Sequence, residues 1–567
     1  MENKNMKHKG LFVALSFAAL LSMATYSNCG NQEQTLNQNN TNGFAKNAAT
    51  TDTNTSGSNL VMDNGHFETV WEVEAGESVR LPIYINHSGG GSSTTTDMLI
   101  DWDLNDSNPD TLVHVNSDNY DGFSFSHTYA TAGRKHIGIV GKLDYWNFKT
   151  DDRTGTSSAT NRLKLKEVHP LVNVEIRSLN SAFADCELDV LNLAGSDFFH
   201  YDEQGQEVGG VRGLSGMFAG TTIHNSDTND FTLDFSNLGL KYVTDMSNMF
   251  EGTVSTNEYI LNFNGAQLEN LVQASNMFKG SNFNTINLQG INFANLETME
   301  GMFENASATE IKLVGIKAPK VKTMRDMFRN SQIQTLGGFQ TMALESLKYI
   351  DRIFQDASRL ISFDLNPSNL DTTQVIDFSK VRSATNAFKN TSALTTVNFN
   401  NVDLSSLEYA KSMFENTTSL ASLNLDVACD DLSSLRRTQN MFANTALPVI
   451  DLSPLDLSAL EIATEMFYNP NSSDGLIGEV NLCHIVAPAT AAFGNAFTPD
   501  NQVSAPIQVK VSAPILGLPA WINLASCQDP APVLRECETP PSSGGGIPTP
   551  KGGYGPIQNN HNHNLGL

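Results

Sequence analysis

Cysteine is scarce: six in 567 residues, too few to staple a fold of this length, so the scaffold stands on its own packing with disulfides as local additions. Long apolar runs are missing as well. Nothing after the N-terminus reaches the 18 or so consecutive apolar residues of a spanning helix, which excludes an integral channel or transporter. Positive charge is short, with 35 Lys and Arg against 61 Asp and Glu; the resulting net charge of −26 repels phosphate backbones and argues against nucleic acid as a partner. Within residues 170–515 only His200, His224 and His484 fall, none at a recurring position, and no HExxH, nucleophile elbow or glycine-rich phosphate loop accompanies them. The chain does not read as an enzyme, and no cofactor or metal is expected.

What is present begins with an address. Lys4, Lys7 and Lys9 precede an apolar stretch from Leu11 to Ala24, long enough for the core of an export signal. Tyr26-Ser27-Asn28-Cys29 follows and resembles a bacterial lipobox, which implies lipid attachment at Cys29; ordinary signal-peptidase cleavage nearby is the alternative. Residues 1–29 are therefore assigned to the signal, and 30–60, rich in Asn, Thr, Gln and Ser, to a disordered tether.

Residues 61–166 read as a small β domain. Phe67, Thr69, Trp71 and Val73 alternate with Glu68, Glu72 and Glu74, the period of a half-buried strand, and 81–85 and 98–103 continue the pattern. The acidic DWD strand and the later HTYATAG strand resemble a polycystic-kidney-disease-type β-sandwich. Trp71, Trp102 and Trp146 all lie here and are expected in its core. Asp101, Asp103, Asn105 and Asp106 have the spacing of a calcium loop, but Asp106 stands where Gly is needed and Leu112 where a bidentate Glu is needed, so a solvated turn is the reading. The GIVGKL string at 138–143 fails the phosphate-loop spacing and reads as strand.

From 167 to 515 the chain repeats. Octets such as IRSLNSAF (176–183), VTDMSNMF (243–250), LETMEGMF (296–303), LKYIDRIF (347–354) and LEIATEMF (460–467) share apolar or small residues at positions 1, 4 and 7 and Phe at 8, and a twelfth copy ends at Phe497. The mean interval is about 28 residues, a solenoid period. Apolar positions 1, 4, 7 and 8 put one stripe on a short helix, and two residues past Phe stands Gly, Asn or Asp, suited to a helix C-cap. Short alternating segments follow, for example ILNF (260–263), TINL (285–288) and TVNF (396–399). The expected fold class is thus an α/β solenoid, one short helix and one short parallel strand per repeat, behind a small β-sandwich.

The recurring Met-Phe helices, L-x-L strands and connectors such as Asp403-Leu404-Ser405-Ser406-Leu407 resemble the BspA-like leucine-rich-repeat surface proteins. That resemblance implies an exported, outer-membrane or cell-surface lipoprotein engaged in adhesion, with a protein or cell-surface ligand of another cell as partner. A structural spacer without a specific ligand is the alternative. The Met-Phe pairs themselves are core, Met filling irregular gaps.

Two candidate binding regions follow. The insertion from Gly195 to Glu203 brings Phe198, Phe199 and Tyr201 outside the repeat template, either as aromatic anchors or, for the two Phe, as a seal on the N-terminal end of the array. The polar strand face offers Asn262, Asn287 and Asn398. After the repeats, 516–540 is expected to cap the array, with Cys527 and Cys537 as a disulfide loop; Cys429 and Cys483 are two repeats apart, and Cys186 and Cys429 are expected as buried thiols. The Pro/Gly/Asn-rich tail 541–567, with His561 and His563, is expected to be solvated.

Overall fold

The computed structural model describes residues 62, 65–84, 97–105, 112–116, 125–148, 158–202, 204–224, 232–257, 259–365, 377–399, 402–424, 432–453, 455–469, 477–483, 493, 496–497, 508–511 and 522–527. Cys29, the tether 30–60, Asp106, Cys429, Cys537 and the tail 541–567 lie outside them. The chain divides into two units, one of Thr51–His200 with Val208–Leu567, the other of Met1–Thr50 with Tyr201–Glu207. In the second, the described part is a turn in which Asp202 Oδ1 accepts from the N–H of Gln204 and Gln206 at 3.0 and 2.8 Å.

In the first unit the period-two alternation of Phe67–Val73 becomes a strand that pairs antiparallel with the 14-residue strand Gly133–Trp146. This long strand also pairs with Asp97–Asp101, Ile83–Tyr84 and Val174–Ser178, and Leu165–Val168 flanks Phe67–Val73 on the other side. Trp71, Trp102 and Trp146 are buried in its core. The 166/167 boundary falls inside strand Leu165–Val168, and the first repeat's Val174–Ser178 and Val190–Leu191 belong to the same sheet. β domain and repeats share hydrogen bonds and one continuous core.

The expected helix per repeat is absent. Among the described residues the one α-helix is Ser158–Lys164, before the repeats begin, and the repeat array is built of strands and turns with two single 3-10 turns at Leu240–Tyr242 and Phe339–Thr341. The α/β solenoid expectation is therefore corrected. Its physical reason stands at octet position 6, where the backbone is left-handed in all eleven full copies, from Ser181 at φ 53° through Asn248 and Asn276 at 57° to Glu465 at 54°. The residue two past Phe is left-handed too, as at Gly252, Asn305 and Asn416. No helix can run through two left-handed residues four apart.

Successive turns take its place. Met249 N–H donates to Met246 O at 3.2 Å, Glu251 N–H to Asn248 O at 3.0 Å and Thr253 N–H to Phe250 O at 3.1 Å. The alternate donors reach into the next repeat: Met246 to Gln273 O, Asn248 to Ser275 O, Phe250 to Met277 O and Gly252 to Lys279 O, at 2.7–3.0 Å. The pattern recurs from Leu179 to Phe467, so the backbone donors of this segment are met either locally or by the neighbouring copy. Position 6 is Asn, Asp, Ser or Gly in nine of eleven copies, the small residues that tolerate this conformation. The apolar spacing of three and four, which reads as one face of a helix, equally serves a chain of three-residue turns.

The strands form parallel ladders in register. Thr232–Asp234, Ile260–Asn262, Thr285–Asn287, Glu310–Lys312 and Thr335–Gly337 make one, and Ser362–Asp364, Thr396–Asn398 and Ser422–Asn424 a second. Val449–Asp451, Glu479–Leu482, Gln508–Val511 and Asn523–Ser526 make the third, so the segment assigned to a cap at 516–540 contributes a further ladder strand. Between turns and strands runs a column of Phe rings. Phe183, Phe218, Phe250, Phe278, Phe303, Phe328 and Phe354 stack with centroids 5.2–5.7 Å apart, and the column continues through Phe388, Phe414 and Phe442 to Phe467. Trp146 of the β domain approaches Phe183 at 6.5 Å and begins it.

Candidate recognition surface

The aromatic insertion divides. Phe198 is 1% exposed, its N–H bound to Leu238 O at 3.0 Å and its O accepting from Val211 N at 2.9 Å. It is core, as an anchor could not be. Phe199 is half-buried, meets Tyr242 edge-on at 6.3 Å and covers Gly239, where an added Cβ would lie 2.9 Å from its ring. The Phe199 ring thus covers residues 239–242, and the Phe198 backbone is tied to Leu238 beside them. Tyr201 is half-buried in the turn unit. His200 donates through Nε2–H to Ile176 O, 3.0 Å away; burial holds its pKa below the usual histidine value, against the opposing pull of that carbonyl and Glu175.

The three strand-face asparagines are brought into two columns and are occupied there. Asn287 Nδ2 donates to Asn262 Oδ1 at 3.1 Å, and Asn262 Nδ2 to Asp234 Oδ1 at 3.0 Å; Asn398 Nδ2 donates to Asp364 Oδ1 at 2.8 Å. Asn262 Oδ1 also accepts from Asn264 N, and Asn287 Oδ1 from Gln289 N. These side chains cap the turn that ends each strand and tie it to its neighbour, a structural use of the amide. A second amide ladder runs two residues past Phe, Asn390 to Asn416 to Asn444, with Nδ2–Oδ1 distances of 2.8 and 2.9 Å.

Charged side chains pair along the same axis. Lys322 meets Glu297 at 3.1 Å and Lys389 meets Glu415 at 2.9 Å, one repeat apart. Sequence inspection missed the densest cluster. Arg325 Nε donates to Asp351 Oδ2 at 2.8 Å while Arg325 lies over the Tyr349 ring at 4.3 Å, and Asp351 Oδ1 also accepts from Ser383 Oγ and from Thr385 N. The available signal was opposite charge at equivalent octet positions of adjacent copies.

Asp103 is paired with Lys135 at 3.1 Å and Asp101 Oδ1 accepts from Asp103 N, the bonding of a turn. No group of three or more His, Cys, Asp or Glu among the described residues is arranged to hold a metal ion. Cys527 is bonded to Cys483 rather than to Cys537, with Cα atoms 5.8 Å apart. Cys483 follows strand Glu479–Leu482 and Cys527 follows Asn523–Ser526, so the disulfide crosses the end of the intervening strand Gln508–Val511. Cys186 is a buried free thiol, and burial pushes its pKa up.

Fold and surface define a repeat protein of parallel strands two to four residues long and stacked turns, with a constant interior. A family described as Mycoplasma protein of unknown function, DUF285, matches residues 212–337 and 348–480, inside the array. No curated protein and no solved structure matches the chain.

Proposed function

We propose that this chain is an exported bacterial surface lipoprotein of BspA-like type, held by lipid at Cys29, whose repeat array recognises a protein or another cell-surface ligand. The observation that carries the reading is the contrast between two columns of the same octet. Position 8 is Phe in every copy and stacked. Position 2 is solvent-exposed in ten of the eleven full copies, Glu408 being half-buried, and runs through Arg177, Arg212, Thr244, Val272, Glu297, Lys322, Lys348, Arg382, Glu408, Arg436 and Glu461. A constant interior under a varied surface is how repeat arrays carry recognition, because each copy contacts only its neighbours and leaves the outer column free to vary. A structural spacer is the second reading, favoured by the side chains that pair along the ladder, such as Lys322–Glu297.

Residues 61–540, fluorescently labelled, are expected to bind cells or cell-surface extracts of a host or neighbour saturably, and to lose binding in competition with unlabelled protein. Absence of saturable binding would leave the spacer. Cys29→Ser is expected to move the full chain from the membrane fraction to the soluble one; unchanged fractionation would remove the lipid anchor.

A further inference from the structure

An open groove of about 640 Å³ lies beside Val254–Ser255, the last strand of the short parallel ladder formed with Glu187–Leu188 and Thr222–Ile223. Its size falls within the roughly 300–1,000 Å³ of small-molecule sites. Among the described residues, no side chain that lines it is charged. The local cause is an insertion: thirteen positions separate Phe250 from the strand-end Phe263, against ten between Phe278 and Leu288, and the additional residues form a ledge at Ser255, Thr256 and Asn257.

The amides of the groove are fixed at one end and open at the other. Asn282 closes the ladder edge in place of a strand, accepting from Ser255 N–H through Oδ1 and donating to Ser255 O at 2.8 Å. Asn257 Nδ2 donates to His224 O at 2.7 Å, and Asn284 Oδ1 accepts from Thr309 Oγ1 at 3.1 Å. Asn257 Oδ1, Asn284 Nδ2 and the hydroxyl of exposed Ser307 have no hydrogen-bond partner among the described residues. An acceptor, a donor and a hydroxyl thus stand around the groove, the two amides held in orientation by bonds already made, and the wholly buried Phe283 lies beneath.

We propose that this groove binds a neutral oligosaccharide. Sugar hydroxyls donate and accept at once and match a mixed set of amide and hydroxyl groups. Amides already fixed in orientation lose little rotamer freedom on binding. The lining among the described residues offers no ion pair to an acidic or basic ligand, and the net charge of −26 disfavours sialylated or sulfated glycans. The proposal rests on the recognition reading and names the ligand class.

The mature full chain is tested on a printed array carrying neutral mannose-, galactose-, glucose- and N-acetylglucosamine-terminated oligosaccharides beside sialylated and sulfated ones. Binding confined to neutral spots is expected, weakened at least tenfold in Asn284→Ala/Ser307→Ala and in the conservative Asn284→Asp. Asn398→Ala, in a different ladder, is expected to bind as the unaltered chain does. Neutral-spot binding that survives the double substitution in a normally melting protein overturns the proposal. So does an array without bound neutral spots; if the same preparation still binds cells, the recognition reading stands without the glycan, and if it binds neither, both fall.

Discussion

Arg352 grips Asp326 through two nitrogens, each 2.7 Å from a carboxylate oxygen, while both residues hold left-handed backbones at φ 56° and 55°. They occupy the same octet position in adjacent copies. An arginine in that conformation is unusual, and here the forked bond to the neighbouring carboxylate accompanies it. Asp326 is 9% exposed and Arg352 much more so. Arg352→Ala is expected to destabilise by about 1–2 kcal/mol, since it strands a nearly buried carboxylate while solvent screens part of the loss. Asp326→Asn/Arg352→Asn, the residue found at Asn248 and Asn276, is expected to recover most of it. A double-mutant cycle in urea checks this; additive losses would show that the pair is not coupled.

Phe303 lies between Phe278 and Phe328 with centroids 5.3 Å away on each side. Phe303→Ala should cost about 3–5 kcal/mol. In an array whose copies touch only their neighbours, that loss can separate unfolding into two transitions, visible by calorimetry. An unchanged melt would contradict the continuous column.

Asn386 stands at the left-handed position with φ 57°. Asn386→Val is expected to destabilise by about 1–2 kcal/mol, the cost of left-handed backbone for a residue with a bulky Cβ, whereas Asn386→Gly should be tolerated. Equal effects would mean that the conformation at this site is not the constraint. A helix would reverse the order, Val being the better helix former of the two.

The Cys483–Cys527 bond, spanning 44 residues of chain, should contribute about 2–4 kcal/mol to the C-terminal end. Cys483→Ser, or reduction, is expected to expose 477–527 to limited proteolysis and leave residues 171–365 protected. Uniform loss of protection would show that the end repeats fold as one unit with the rest.

His200 has a folded pKa below its ordinary value of 6.5 because burial disfavours its charged form. The unfolded chain therefore binds the extra proton first, and stability falls as pH drops through 6.5 toward the lower folded value. Melting temperature measured between pH 8 and pH 5 should decline in this window, and His200→Gln should flatten the decline. An identical slope would place the titration elsewhere.

Much of this was legible beforehand. The period, the Phe column, the strand segments and the buried tryptophans all follow from where large apolar residues recur, because burial is read directly from that pattern. Backbone handedness is not. Val243, Met246, Met249 and Phe250 occupy positions 1, 4, 7 and 8, and a helix or a run of turns buries them equally well; Asn248 decides between the two, and a lone Asn is a weak signal until its recurrence at position 6 is counted. Asn262 and Asn287 read as an open polar face, since single-repeat inspection cannot show that each amide is spent on the next copy. Cys527 failed for the same reason: nearness along the chain favoured Cys537, whereas ladder stacking brought Cys483 alongside.

The turn donors that join one copy to the next, such as Met299, Gly301, Phe303 and Asn305, point forward to the successor, while the donor at octet position 2, as at Val272 to Thr244 O and Lys322 to Glu297 O, points back, and both directions recur at fixed positions along the array. Any junction is therefore interchangeable with any other of the same kind. Phe278, Phe303 and Phe328 are separated by 25 residues each, so an in-frame loss or duplication of 25 codons there would return every donor to an equivalent acceptor. Such a gene can lengthen or shorten its product by whole repeats during recombination, and each length variant inherits a complete backbone ladder.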